Sequence, residues 1–178
     1  MKATGIVRRI DDLGRVVIPK EIRRTLRLRE GDPLEIFTDR DGGVVFKKYS
    51  QLGDLSDCSG HLCDTLSRVA GLPAVITDRD FCIAAGGLPR RELAERRISF
   101  AVEQLMEARR SIRPDSGSIP LLESDGTYRV LAAAPVLSEG DVLGCVLFVS
   151  ADAAAQAGDT ELKLAQAAAG FLGKHMES

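Results

Sequence analysis

Tryptophan is absent from this 178-residue chain, and aromatic residues of all kinds make up only 4% of it. Stacking on single-stranded nucleic acid needs rings laid along a groove, and the first fifty residues offer only Phe37, Phe46 and Tyr49, all on the side of one hairpin. Histidine is as scarce. His61 and His175 are the two imidazoles; neither stands in a GxSxG, HExxH or Cys/His context, and no glycine-rich phosphate loop occurs. Acid pairs such as Asp11-Asp12 are turn residues, and Gly42-Gly43 and Gly86-Gly87 punctuate turns. The expectation is a protein that is not an enzyme and needs no cofactor.

Cysteine is sparse and unpatterned. Cys58, Cys63, Cys82 and Cys145 form no CxxC, and a chain of this length does not need disulfides to hold a core. His61 lies between Cys58 and Cys63, but five helical steps set those sulfurs about 140° apart, so they cannot chelate one ion unaided. Buried thiols and no metal site are expected. No apolar run approaches the roughly 18 residues of a membrane span, and Met1-Lys2 followed by Gly, Arg and Asp is not a signal peptide, so the reading is cytoplasmic and without a membrane partner.

What is present is a charge asymmetry. Residues 1–50 carry 12 basic and 8 acidic side chains, a net +4, whereas residues 51–178 carry 12 basic and 18 acidic, a net −6. The length accommodates one domain and a smaller module, so the division expected is a basic head over 1–50 and an acidic body over 51–178, with 51–70 as a linking helix. Such a head suits a polyanion.

Within the head, Ile6 to Ile10 and Arg15 to Ile18 read as strands joined at Asp12-Leu13-Gly14, with Gly14 free to take positive φ. Pro19 opens a helix of at most two turns, in which Ile22 and Leu26 lie beneath Arg23, Arg24 and Arg27. Two alternating runs, Leu34 to Thr38 and Val44 to Lys48, flank Asp39-Arg40-Asp41-Gly42-Gly43, a hairpin signal. Fifty residues with so few large apolar side chains cannot bury a sufficient core alone, which implies an intertwined dimer.

The strings Gly5 to Arg8, Asp11 to Pro19 and Glu21 to Leu26 resemble the AbrB family of bacterial transition-state regulators. The resemblance implies an α+β protein whose N-terminal part is a swapped-hairpin β-barrel built by two chains, with arginines of both laid on double-stranded DNA to control sporulation-type gene expression, as activator or repressor. Carried onto this sequence, Arg8, Arg15, Arg23 and Arg24 are the first-rank DNA residues; Arg9, Lys2, Lys20, Lys47 and Lys48 are the second. Arginine suits the task because its planar fork donates two parallel hydrogen bonds and stays ionised. The alternative for such a head is an antitoxin-like protein whose disordered tail wraps a partner, against which stands the regular apolar periodicity of residues 52–178.

In the body, Leu52, Leu55, Ser59, Leu62, Leu66 and Val69 form a heptad seam on a helix from Ser50 to Ala70, and Leu162, Ala165, Ala169, Leu172 and Met176 repeat the rhythm at the far end. Between them the pattern predicts strands at Ala74 to Thr77 and Phe81 to Ala85, a helix from about Pro89 to Arg110, and strands at Ser118 to Leu122, Tyr128 to Val136 and Val142 to Val149. That order, with VITDRDF and APVLSEGDVLGCVLFVS, resembles a GAF domain, an α/β sandwich of antiparallel sheet and flanking helices that often holds a ligand. Cys82, Phe81, Phe100 and Tyr128 are candidates to line such a pocket, and the sequence names no ligand. The seams predict that bodies tie dimers of heads into a tetramer.

Overall fold

In the computed structural model, which describes residues 4–114 and 119–177, the chain divides into the units Met1–Tyr49 and Ser50–Ser178. Lys2 and Ser118 lie outside the described residues.

The first unit holds helix α1 (Lys20–Thr25) and strands β1 (Leu34–Thr38) and β2 (Val44–Lys48). Pro19 is the residue before the helix, one position earlier than expected, and α1 closes when Arg27 turns to φ 51° and the Leu28 N–H reaches back to the Arg23 carbonyl at 2.7 Å. The β1–β2 pair is antiparallel, Leu34 opposite Lys48 and Thr38 opposite Val44. Its turn is built by Asp39, whose Oδ1 accepts the Asp41 and Gly43 N–H groups at 3.1 and 2.6 Å.

The two strands expected before α1 are not formed: residues 6–10 and 15–18 have no ladder. Their backbone connection is the Asp11 N–H donating to the Arg15 carbonyl at 3.0 Å. The physical reason is that a pair of strands needs an apolar face packed on something to hold it, and no described residue of 4–18 is buried.

The second unit is a four-stranded antiparallel sheet of order β4-β3-β6-β5, made of β3 (Ala74–Asp78), β4 (Cys82–Gly86), β5 (Arg129–Ser138) and β6 (Asp141–Ser150). Glu139 and Gly140, both at positive φ, make the two-residue turn between β5 and β6. One face is covered by α2 (Gln51–Asp54), α3 (Ser56–Ala70) and α6 (Asp159–Met176), enclosing Leu52, Cys63, Leu66, Ile76, Phe148 and Leu172. The opposite face packs Val75, Val130, Cys145 and Leu147 against Leu93, Ile98, Val102, Met106 and Leu121, which come from α4 (Arg90–Leu93), α5 (Phe100–Glu107) and the segments around them. Two glycines permit close approach of the helices. A Cβ on Gly86 would stand 2.3 Å from the Cys63 carbonyl of α3, and one on Gly173 would stand 2.1 Å from the Leu137 carbonyl of β5.

Three expectations for the body are corrected. The linking helix is broken at Leu55 (φ −97°, ψ 23°), where α2 ends after one turn capped by the Ser50 hydroxyl. Its seam buries Leu52, Ser59 and Leu66 but leaves Val69 65% exposed. The helix expected over Pro89 to Arg110 is two, because residues 96–99 bond instead to the sheet's surroundings: Cys82 N–H to Arg96 O, Ile98 N–H to Asp80 O and Ser99 N–H to Leu121 O. Ser99 then starts α5, its hydroxyl accepting the Val102 N–H and donating to Pro120 O. In place of a strand ending at Leu122, there are single bridges of Pro120 to Arg129 and of Leu122 to Ile98.

Candidate nucleic-acid interface

Arg15 sits at the far side of a tight turn. Gly14 takes φ 76° and its N–H donates to the Asp11 carbonyl at 3.0 Å, which leaves the Arg15 N–H to find another acceptor. That acceptor is Asp11 Oδ1 at 2.8 Å, which also takes the Leu13 N–H at 3.0 Å, while Oδ2 holds Arg15 Nε at 2.8 Å. The Asp11 carboxyl is accordingly held below the usual aspartate value, first by the Arg15 backbone N–H and then by its side chain. Sequence reading counts Asp11 only as a turn residue; the D-x-x-G-R spacing around a left-handed glycine is the signal that points to its role.

Arg8 and Arg9 lie on the exposed segment before this turn, and Arg8 Nη1 donates to the neighbouring Val7 carbonyl at 3.1 Å. Lys20, Arg23 and Arg24 are exposed on α1, where all helical side chains are unburied. The two β2 lysines point to different surroundings. Lys47 lies over the Phe37 ring at 4.9 Å, whereas Lys48 is partly covered and pairs with Asp32 at 3.0 Å. Asp32 is itself engaged in accepting the Arg29 N–H at 2.8 Å, so the Lys48 charge is answered inside the head.

The apolar side chains of this unit are the second feature. No described residue between 4 and 49 is buried, and Val7 (83% exposed), Ile10 (70%), Leu13 (70%) and Val17 (72%) stand almost fully open. Monomeric proteins rarely leave such a run of apolar side chains in water.

In the body, burial pushes the Cys82 and Cys145 thiols up to about 12 each, and Cys63 is buried with them, while Cys58 is half-buried. Among the described residues no group of His, Cys, Asp and Glu is placed to hold a metal, and no helix is long and apolar enough to cross a membrane. The four pocket candidates do not converge. Phe81 lies beneath Arg97 at 5.1 Å, Phe100 is 66% exposed, and the Tyr128 hydroxyl donates to Glu92 Oε2 at 2.8 Å. Cys82, and none of the other three, lines the cavity of about 180 Å³ formed with Ser56, Asp57 and Gly60 of α3, Ile83 of β4 and Leu93 of α4.

Comparison with known proteins decides the lineage. Residues 54–177 match the family model described as "Stage V sporulation protein T C-terminal, transcription factor". The chain is 47% identical to stage V sporulation protein T of Bacillus subtilis (strain 168), with 99% of each chain covered. The chain belongs to the stage V sporulation protein T family. Residues 7–54 match a second model, "Antidote-toxin recognition MazE, bacterial antitoxin". In line with the AbrB resemblance, the chain is 46% identical over 77 residues to the transition state regulatory protein AbrB of the same organism, covering 43% of this chain and 78% of that protein. The body of this family member has the fold of a GAF domain: the solved GAF domain of an Acinetobacter phosphoenolpyruvate-protein phosphotransferase superimposes with a TM-score of 0.58 at 12% identity, covering 73% of this chain and 84% of that one.

Proposed function

We propose that this chain is a transcription regulator of sporulation-type gene expression, not an enzyme, whose head (residues 1–50) binds duplex DNA as an intertwined dimer. The observation that carries the reading is the coincidence, in one unit, of exposed guanidinium groups on Arg8, Arg15, Arg23 and Arg24 with apolar side chains that have no core of their own. A second copy supplies partners for the open strand edges and the missing core, and doubles the cationic contacts to on the order of eight. Arg9, Lys20 and Lys47 add positive charge to the head, as Lys2 does by sequence, and Lys48 acts through its ion pair. Aromatic scarcity favours a duplex over single strands.

The body (residues 51–178) ties such dimers into tetramers and serves as a sensory module. Support for the sensory part comes from the GAF fold and the cavity beside the first turn of α3. The relationship to a transcription factor over nearly the whole chain favours this reading over the antitoxin one; so does a body with two packed cores, since a wrapping tail would have none. Rapid proteolysis of residues 51–178 in the full chain would return the antitoxin reading to favour.

The direct test is an electrophoretic shift series with Arg23→Ala and a bacterial genomic duplex. The variant is expected to keep its oligomeric state and lose affinity tenfold or more. Unchanged affinity would sink the assignment.

A further inference from the structure

The Asp11 carboxylate raises a question of sign. A negative charge among DNA-facing arginines weakens attraction to every duplex alike, because each neutralised cation releases fewer counterions. It nevertheless grips one of those guanidinium groups. Nε of Arg15 is fixed at 2.8 Å by Oδ2, while Oδ1 fixes the backbone of residues 13 and 15 at 3.0 and 2.8 Å. One carboxylate therefore ties the arginine side chain to the main chain that carries it. The two terminal nitrogens of Arg15, the pair that forms a parallel fork to a guanine edge or a phosphate, have no partner among the described residues, and the side chain is 69% exposed.

We infer that Asp11 is a specificity-determining positioning residue: it presents the Arg15 fork in one orientation and lowers general affinity for DNA in return for selectivity. This rests on the DNA-binding reading above. An untethered arginine on a long flexible stem would satisfy phosphates in many poses and discriminate little among sequences. A tethered one meets its best partner without ordering cost and meets wrong partners badly, the repulsion from Asp11 acting against all of them. Among the described residues neither the Asp12 nor the Glu21 carboxylate bonds an arginine of the patch, so of these neighbouring acids Asp11 alone is geometrically coupled to one.

The test uses the full-length chain and two probes of equal length, a duplex enriched by the wild-type protein from random-sequence oligonucleotides and an unselected random duplex. Asp11→Asn keeps an oxygen able to accept the Leu13 and Arg15 N–H groups but carries no charge for Nε. Expected is a rise of about threefold or more in random-duplex affinity, a steeper salt dependence, and a fall of about tenfold in the selected-to-random ratio. In an Arg15→Ala background, Asp11→Asn should leave that ratio unchanged. Equal gains on both probes would mean simple repulsion, and equal losses would mean a purely structural turn residue; either result overturns the inference. Asp11→Ser, which also retains a turn acceptor, should repeat the loss of ratio. Failure of Arg15→Ala to weaken binding would instead remove the DNA reading itself, so the two failures are distinct.

Discussion

Val16 and Val17 offer a sharp discrimination between a head that is complete in one chain and one completed by a second. They are 46% and 72% exposed, and as neighbours they would face opposite sides of any strand this segment forms. If this segment remains open to water, replacing either by threonine, which matches valine in shape and in strand preference, should change stability by no more than about 0.5 kcal/mol. If it enters an intertwined barrel, one of the two becomes core. Burying an unpartnered hydroxyl there costs about 1–3 kcal/mol per copy, so a dimer with two copies loses roughly 2–6 kcal/mol, or between one and four orders of magnitude in its dissociation constant. The assay is urea unfolding of full-length protein at a hundredfold range of concentrations, following a fluorophore placed on the head. One of Val16→Thr and Val17→Thr should lower a concentration-dependent midpoint while the other stays near wild type. Silence at both positions, with midpoints independent of concentration, would refute the intertwined head.

In α6, Gly173→Ala sets a gain in helix propensity of about 1 kcal/mol against a Cβ that would stand 2.1 Å from the Leu137 carbonyl. Overpacking of about 1–3 kcal/mol should win and lower the melting temperature of the body, while Gly170→Ala, with nothing within 4 Å, should raise it. Ser99→Ala removes both the cap of α5 and the bond to Pro120 O, and calorimetry should show a loss of about 1–2 kcal/mol. Because Asp11 is held below the ordinary 3.8 by hydrogen bonds to Arg15, the order of its turn is present above that value and is lost as pH falls through the depressed one. Carbon-detected NMR should follow the Asp11 carboxyl titrating below 3.8, and an ordinary or raised value would deny the tether.

Elements whose apolar period and turn chemistry agree were legible in the sequence. The β1–β2 hairpin follows from alternation around Asp39 to Gly43, and β3–β4 from the short run across Asp78 to Asp80. The break between α4 and α5 was not, because Ala94, Ile98, Ala101 and Leu105 keep a helical rhythm through a stretch whose backbone bonds are made to Asp80, Cys82 and Leu121. Periodicity cannot register a tertiary hydrogen bond, although Ser99 before an apolar run marks where a helix can begin. The arginines proposed to meet DNA come from the motif alone, while the Asp11 tether and the Lys48–Asp32 pair depend on how turns fold back. The segments before α1 show the reverse case, in which alternating residues predict strands but no described residue of the segment is buried to hold a ladder together.

The measurement that bears most directly on the whole account is the salt dependence of duplex affinity for the full-length chain. Four guanidinium groups from each of two heads make on the order of eight phosphate-scale contacts, which predicts a slope of about −7 in log affinity against log salt. A slope of half that size would leave a single head on the duplex, and a flat line would mean that these arginines do not bind DNA.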